Sequence, residues 1–362
     1  MIPRLKSILV QAIDGSVIVH RRALERMHLE DAEGSVAALL LLLREGTRTE
    51  EELVLAMSAQ GFPVSKEDIA AAVAEFDSWG IVQRAGADES LEPAVRDRHQ
   101  SNLRFYDIFA DLHVSSADQH RAVESARVLL LGAGGLGSGI LQSLVGLGVG
   151  RVTLVDFDVV ETKNLARQFA YGLATIGQRK VEAAQNWAAA YSAGTAVDAV
   201  HQRVEDAAGI RELASGHDLV ICAIDSPDDV QLLVNQACVE LGIPYVAGGL
   251  AYSTLCYWSV EPGRSACRLC LELHRNDELR DAEWDIRTDP LFDRDTVNRA
   301  TGPVVQVLSG LMAMEAMRFI RRIEPPVALA CYHVLELADD MRSDRHRWER
   351  HPDCQLCADN RP

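Results

Sequence analysis

Two kinds of hydrophobic patterning divide the chain. Over residues 1–90 the apolar positions come in short bursts with helical spacing. Ser7–Ile13 and Val17–His20 flank Asp14-Gly15, the signal of a tight hairpin. Gly34–Glu45 reads as an apolar helix that stops near Gly46. Thr47-Arg-Thr-Glu opens a second helix in capping fashion, with Leu53, Val54 and Met57 at helical spacing. Ser65-Lys-Glu-Asp opens a third, with Ile69, Val73 and Phe76. Trp79–Gln83 closes the region as a short strand. A hairpin, three helices and a strand outline a winged helix, so residues 1–90 are expected to be a separate module. Arg84–Asn102 is polar and charged, and the stretch 91–125 reads as linker.

Beyond residue 126 strands alternate with helices. Arg127–Leu131 is an unbroken apolar run, as expected of a strand covered on both faces. Gly137–Leu147 has the pattern of a helix. Arg151–Val155, Asp218–Ala223 and Pro244–Ala247 read as further strands with helices between them. This predicts a doubly wound, Rossmann-like α/β sheet, mostly parallel. Thr254–Val260 alternates more and suits an antiparallel extension. Val304–Ile320 predicts a strong helix rich in Met, Leu and Ala, and Ala328–Leu337 a late strand.

Composition narrows the class. A chain of 362 residues with a net charge of −17 is a poor partner for nucleic acid or an anionic membrane. It suits a peptide or small-molecule substrate better. The N-terminus does not resemble a signal peptide, and the longest apolar run, Val36–Leu43, is too short to span a bilayer. A reducing cytoplasm is expected. Four of the eight cysteines (Cys222, Cys238, Cys256 and Cys331) lie in apolar surroundings and read as core thiols. The other four form two CxxC pairs, Cys267/Cys270 and Cys354/Cys357. Four thiolates make a closed, structural zinc site that would tie the chain's last residues to a loop far upstream. Two unrelated pairs, or redox dithiols, are the alternative.

After the first strand of the sheet comes Gly132-Ala-Gly134-Gly135-Leu-Gly137. Such glycines let the backbone turn tightly and approach phosphates at a helix N-terminus. Asp156 ends the next strand, where an acidic residue can meet a ribose. The motif by itself fits NAD or FAD equally well. The following segment is dense in groups suited to a triphosphate: Asp158, Glu161, Lys163, Asn164, Arg167 and Gln168, then Lys180. Asp225 stands at a later strand end. Cations and carboxylates so placed suit a nucleoside triphosphate with Mg²⁺, and a nicotinamide needs none of them.

Together with CRLC, GPVVQVLSGLMAMEAMRF and the terminal CQLC, these motifs make the chain resemble the ThiF/MoeB/HesA adenylyltransferase family, relatives of the ubiquitin-activating enzymes. The match runs from about Asn102 to the C-terminus. The resemblance implies a fold that binds Mg·ATP and transfers AMP to a carboxylate. Gly132, Gly134, Gly135 and Gly137 would line the phosphate turn, and Asp156 would bind the ribose. Asn164, Arg167 and Lys180 would hold phosphates and steady the charge as pyrophosphate leaves, and Asp225 would hold Mg²⁺. A homodimer is also implied. Two departures stand out. An Arg-aromatic-x-Arg element is met here as Arg104-Phe-Tyr-Asp107, which keeps the first arginine only. Leu271–Thr301 holds no cysteine, where sulfur-transferring relatives commonly place one.

The N-terminal module makes the layout similar to the peptide-modifying MccB type within the family, whose module clamps a short ribosomal precursor. An excess of acid over base disfavours the DNA-binding role of many winged helices. The expected activity is therefore ATP-dependent adenylation of a carboxylate on a ribosomally made precursor peptide. The alternatives are activation of a ubiquitin-like sulfur carrier for thiamine or molybdopterin synthesis, and a non-catalytic scaffold that presents a leader peptide. Arg264, Arg268, His274 and Arg275, around the first thiol pair, would meet a substrate carboxylate or form a solvated rim. Asp277–Asp295 would be a mobile crossover loop over the site or an inert surface loop.

Overall fold

A computed structural model describes residues 1–22, 24–281 and 300–358, and they fall into two compact units, Met1–Arg121 and Ala122–Pro362. The first unit begins with β1 (Pro3–Leu5), then β2 (Leu9–Ile13), β3 (Ser16–Arg22) and β4 (Glu25–Glu30). The last three form an antiparallel sheet in the order β2-β3-β4, with Asp14-Gly15 at the first hairpin turn. β4 has no counterpart in the sequence reading. Its inward residues, Glu25, Met27 and Leu29, alternate with exposed ones, but the strand carries three charged residues that hide the period.

Three helices follow, α1 (Ser35–Glu45), α2 (Glu50–Ala59) and α3 (Lys66–Ser78), and then β5 (Val82–Arg84), which pairs with β1. Both expected caps form, but the second helix starts two residues later than the Thr47 motif suggests. Thr47 and Thr49 each have a glutamate three residues on, and it is Thr49 that caps: Glu52 accepts from the Thr49 backbone amide while the Thr49 hydroxyl accepts from the Glu52 amide. Leu39, Leu43, Leu53, Met57, Ile69, Val73 and Phe76 close a core over Val17 and Val19. The stretch read as linker is folded, as α4 (Pro93–Arg98), α5 (Gln100–Tyr106) and α6 (Ser116–Ser125), and all but the end of α6 belongs to the first unit.

The second unit runs β6 (Arg127–Leu131), α7 (Gly135–Leu147), β7 (Arg151–Val155), α8 (Lys180–Tyr191), β8 (Ala196–Val200), α9 (Ala207–Ala214), β9 (Leu219–Cys222), α10 (Val230–Leu241) and β10 (Tyr245–Ala251). These five strands are parallel. β11 (Thr254–Val260) turns back antiparallel on β10. After α11 (Arg268–Asp281) and α12 (Gly302–Arg321), β12 (Cys331–Glu336) and β13 (Arg342–Arg347) extend the antiparallel edge, and α13 (Gln355–Ala358) follows. The eight-stranded order is β13-β12-β11-β10-β9-β6-β7-β8. From β6 the chain winds outward to β8, then returns to β9 on β6's other side, so the winding reverses between β6 and β9. Ligands of such sheets bind beyond the strand C-termini at that reversal.

Of the expected crossover stretch, Asp277–Asp281 ends α11, and 282–299 lie outside the described residues. α12 is the one described helix long and apolar enough to cross a membrane, yet half of its apolar window is buried. Its wholly buried Glu315 accepts hydrogen bonds from Ser259 Oγ (2.8 Å) and the Ala328 (2.9 Å) and Val327 (3.1 Å) amides. A carboxylate satisfied by the protein's own backbone marks a core helix.

Candidate nucleotide site and thiol cluster

The glycine turn lies at the reversal of the sheet. Leu131 is in register with Val155 of β7 and Cys222 of β9, so Gly132, Asp156 and Ala223 leave three neighbouring strands at one level. Gly132 has φ +103°, a conformation that favours glycine, and a Cβ there would stand 2.6 Å from the Ala223 carbonyl oxygen. A Cβ on Gly137 would fall 1.9 Å from the Gly132 oxygen, so α7 packs its first turn directly on the loop. Gly134 is different: a Cβ there would meet nothing within 4 Å. Gly134 is also the N-cap of α7 and makes no side-chain cap bond. The turn thus presents a helix N-terminus to open space, with the helix dipole favouring an anion.

The sequence-predicted residues of the second unit gather around this turn. Asp156, buried at the end of β7, accepts from the Ala133 amide (2.7 Å) on one oxygen and from the Asp158 amide (2.8 Å) on the other. Asp158 in turn pairs with the buried Lys180 ammonium at 2.7 Å. Lys180 opens α8, and its own amide donates to the Asp158 carbonyl oxygen (3.0 Å). Asn164 is buried and accepts from the Glu161 amide at 2.9 Å, which makes it the brace of a short turn. Arg167 and Gln168 follow, and both donate their amides to the Asn164 carbonyl (3.0 Å each). The Arg167 side chain passes 3.7 Å from where a Gly135 Cβ would stand, and it pairs with no carboxylate among the described residues. Gln168 is buried, and its Oε1 has no hydrogen-bond partner there. Asp225 is exposed, one residue beyond Ile224, whose side chain abuts Gly132.

Arg104 belongs to the other unit. It lies on α5 in the first unit, where its guanidinium pairs with Asp107 at 3.2 Å. One residue of the site carries no sequence signal. Tyr171, buried, donates its hydroxyl to the Ala133 carbonyl at 2.8 Å. Burial and the nearby carboxylates of Asp156 and Asp158 hold that hydroxyl well above the ordinary phenol range, so it stays a donor. A tyrosine among Phe, Ala and Gly residues announces nothing, and only its contact reveals a role.

The four CxxC cysteines meet. Their sulfurs all lie within 4.8 Å of one another, and all four residues are buried. Cys267 is 3.9 Å from Cys270 and 3.7 Å from Cys354, and Cys270 is 3.7 Å from Cys357. Sulfurs about 2.3 Å from a common centre stand about 3.8 Å apart in a tetrahedron. The cluster therefore fits a single tetrahedral ion with no corner left open. Trp348 braces it by donating Nε1–H to the Cys267 carbonyl (3.0 Å). His351 meets Asp277 (2.8 Å), joining the polar stretch before the last pair to α11. Beside it, Arg268 is buried and pairs with Glu272, so it is no part of a solvated rim. Cys256 is a core thiol, pushed up to about 12 by burial.

Comparison with known proteins places this geometry. A family model described as the ThiF family matches residues 106–356. The molybdopterin-synthase adenylyltransferase of Salmonella typhimurium is 29% identical over 278 residues, which are 75% of this chain and 99% of that protein. The SAMP-activating enzyme E1 of Haloferax volcanii is 30% identical over 239 residues, 65% of this chain and 81% of that one. E. coli MccB, solved with ATP and also with AMPCPP and MccA, is similar in fold: TM-score 0.76, 17% identity, 99% of this chain and 100% of that one.

Proposed function

The chain belongs to the ThiF family and is an ATP-dependent adenylyltransferase, and from that premise we propose that its substrate is a carboxylate of a ribosomally made precursor peptide. The observation that carries this reading is layout. The molybdopterin-synthase adenylyltransferase is matched almost end to end by 75% of this chain, which leaves a quarter over. The MccB fold accounts for 99% of it, and MccB has been solved with MccA. We assign the extra part, residues 1–90, as a winged-helix-like clamp for the precursor, followed by a connecting stretch (91–125) with Arg104 and the adenylating domain (126–362).

In the reaction a carboxylate oxygen attacks the α-phosphorus of ATP, the bond to the bridging oxygen breaks, and pyrophosphate leaves with the electron pair. The product is the acyl-AMP. Positioning and cations on the developing charge do most of the catalysis. The first-turn amides of α7, past Gly132, Gly134, Gly135 and Gly137, receive phosphate oxygens. Asp156 keeps lone pairs for a ribose hydroxyl while it holds the Ala133 amide. Asp158 positions Lys180, and Lys180, Arg167, Asn164 and Gln168 meet the phosphates. Asp225 would hold Mg²⁺, which neutralises phosphate charge when bound. Zn²⁺ would sit in the four-thiol cluster, where it closes the fold and does no chemistry.

Pyrophosphate exchange into ATP tests the substrate, run with precursor peptides encoded nearby and with a Gly-Gly-ending sulfur carrier. Exchange with a peptide, abolished by Asp225→Ala, is the expected result. Exchange with the carrier alone moves the assignment to cofactor biosynthesis, the second reading favoured by the 29% identity to the Salmonella enzyme. Silence with both, in a protein that binds leader peptide, leaves the scaffold role. We also propose a homodimer. Val307 and Met314 are each 42% exposed, seven residues apart on α12, and leave an apolar stripe for a second copy. A monomer in sedimentation at micromolar concentration overturns that.

A further inference from the structure

We propose that Tyr171 is a positioning residue for nucleotide binding: its hydroxyl sets the direction of the Gly134 amide toward a phosphate of ATP. The inference rests on the nucleotide reading of the glycine turn and adds a residue to it.

Two peptide planes flank Ala133. In a trans peptide the C=O and N–H point in opposite directions. The plane between Gly132 and Ala133 is held at both ends. Its N–H donates to Asp156 Oδ2 at 2.7 Å, and its C=O faces Gly137, so closely that a Cβ there would be 1.9 Å away. The next plane, between Ala133 and Gly134, is held on its carbonyl side only. That carbonyl accepts the Tyr171 hydroxyl at 2.8 Å. With the carbonyl drawn toward the tyrosine, the Gly134 N–H must point the other way. Among the described residues no backbone or side-chain acceptor takes that amide, and the space a Gly134 Cβ would enter is empty to 4 Å. The donor is therefore aimed out of the protein at the N-terminus of α7.

The tyrosine is itself well fixed. It is 7% exposed, and its amide donates to the Gln168 carbonyl at 3.2 Å. The hydroxyl thus fastens the turn that carries Arg167 and Gln168 to the glycine turn, 38 residues upstream. One hydrogen bond joins two phosphate-facing elements that the backbone does not otherwise link at this point. A phenylalanine would fill the same volume and lose only that bond, leaving the Ala133 carbonyl unpaired and the Gly134 plane free to tilt.

Equilibrium binding of ATP and of adenosine, without any peptide, tests this in the full chain. Tyr171→Phe should weaken ATP roughly tenfold, the scale of one hydrogen bond. Adenosine, which has no phosphate, should bind as before. Equal weakening of both, or no change in either, overturns the proposal. Should that variant not fold, Gly134→Ala serves: its methyl enters the empty space, so ATP affinity should fall while the melting temperature holds. Unchanged ATP affinity in Gly134→Ala also overturns it. If the unmodified protein binds no ATP, the nucleotide reading falls and takes the tyrosine's role with it. If ATP binds but no peptide or carrier supports exchange, the substrate assignment alone is lost.

Discussion

The glycine turn and the thiol cluster lie in the same unit and are built on opposite principles. Around the turn, polar groups are held by one side and left open on the other. The Gly134 amide and the Arg167 guanidinium both lack a protein partner among the described residues. In the cluster four buried sulfurs face one another, and Trp348 donates to the Cys267 carbonyl behind them. An open arrangement can take a ligand and release it. A closed one can only be occupied. On the proposed function, the first does the chemistry and the second gives cohesion.

The largest test of that contrast is metal removal. We expect one zinc per chain by elemental analysis of freshly reduced protein. Structural zinc contributes on the order of 10 kcal/mol in small zinc domains. Chelation, or Cys354→Ser, should therefore lower the melting temperature by about 10 °C or more, with a change in Trp348 fluorescence as its brace on Cys267 is lost. Stability indifferent to chelation would remove the cohesive role.

Next in size is the open site. Arg167→Ala should reduce pyrophosphate exchange by about 10²- to 10³-fold, the scale for losing one preorganised charge-stabilising group. Its melting temperature should not move, because the guanidinium holds no ion pair among the described residues. A large loss of stability would show that the arginine is structural. The two glycines sharpen the same point from within the turn. Gly137→Ala forces a methyl against the Gly132 carbonyl and should cost about 3 kcal/mol in denaturant unfolding. Gly134→Ala should cost under about 1 kcal/mol. Equal costs would mean that both glycines serve packing. The smallest effect is expected at the cluster's rim, where Trp348→Phe removes one donor. About 1 kcal/mol of stability and roughly tenfold in zinc affinity should go with it, read by competition with a chromogenic chelator.

Much of this was legible before any coordinates. Unbroken apolar runs such as Arg127–Leu131 marked strands covered on both faces, and β6 is buried from its second residue onward. What escaped were strands whose exposed positions are charged. β13, Arg-Ser-Asp-Arg-His-Arg, has no apolar residue, and no hydrophobic period exists to find. β4 alternates, but its charges mask the alternation. The helices over 93–106 were not legible in the stretch read as linker, because they are short and their buried residues, such as Leu103 and Tyr106, are too few to set a period.

Local stretches of sequence carry the candidate chemistry: the glycine spacing, the carboxylates and cations in order after each strand, and two cysteine pairs with metal-ligand spacing. These signals are local, because each motif lies within one turn of backbone. Direction and partnership came from the packing of whole elements. It brought Cys267 within 3.7 Å of Cys354, 87 residues away, and turned Asp156 to hold a loop amide as well as face the site. It withdrew Arg268 from the surface and placed Tyr171 on a carbonyl 38 residues upstream. A hydrogen bond between distant residues depends on how whole elements pack, and no short stretch of sequence contains that information.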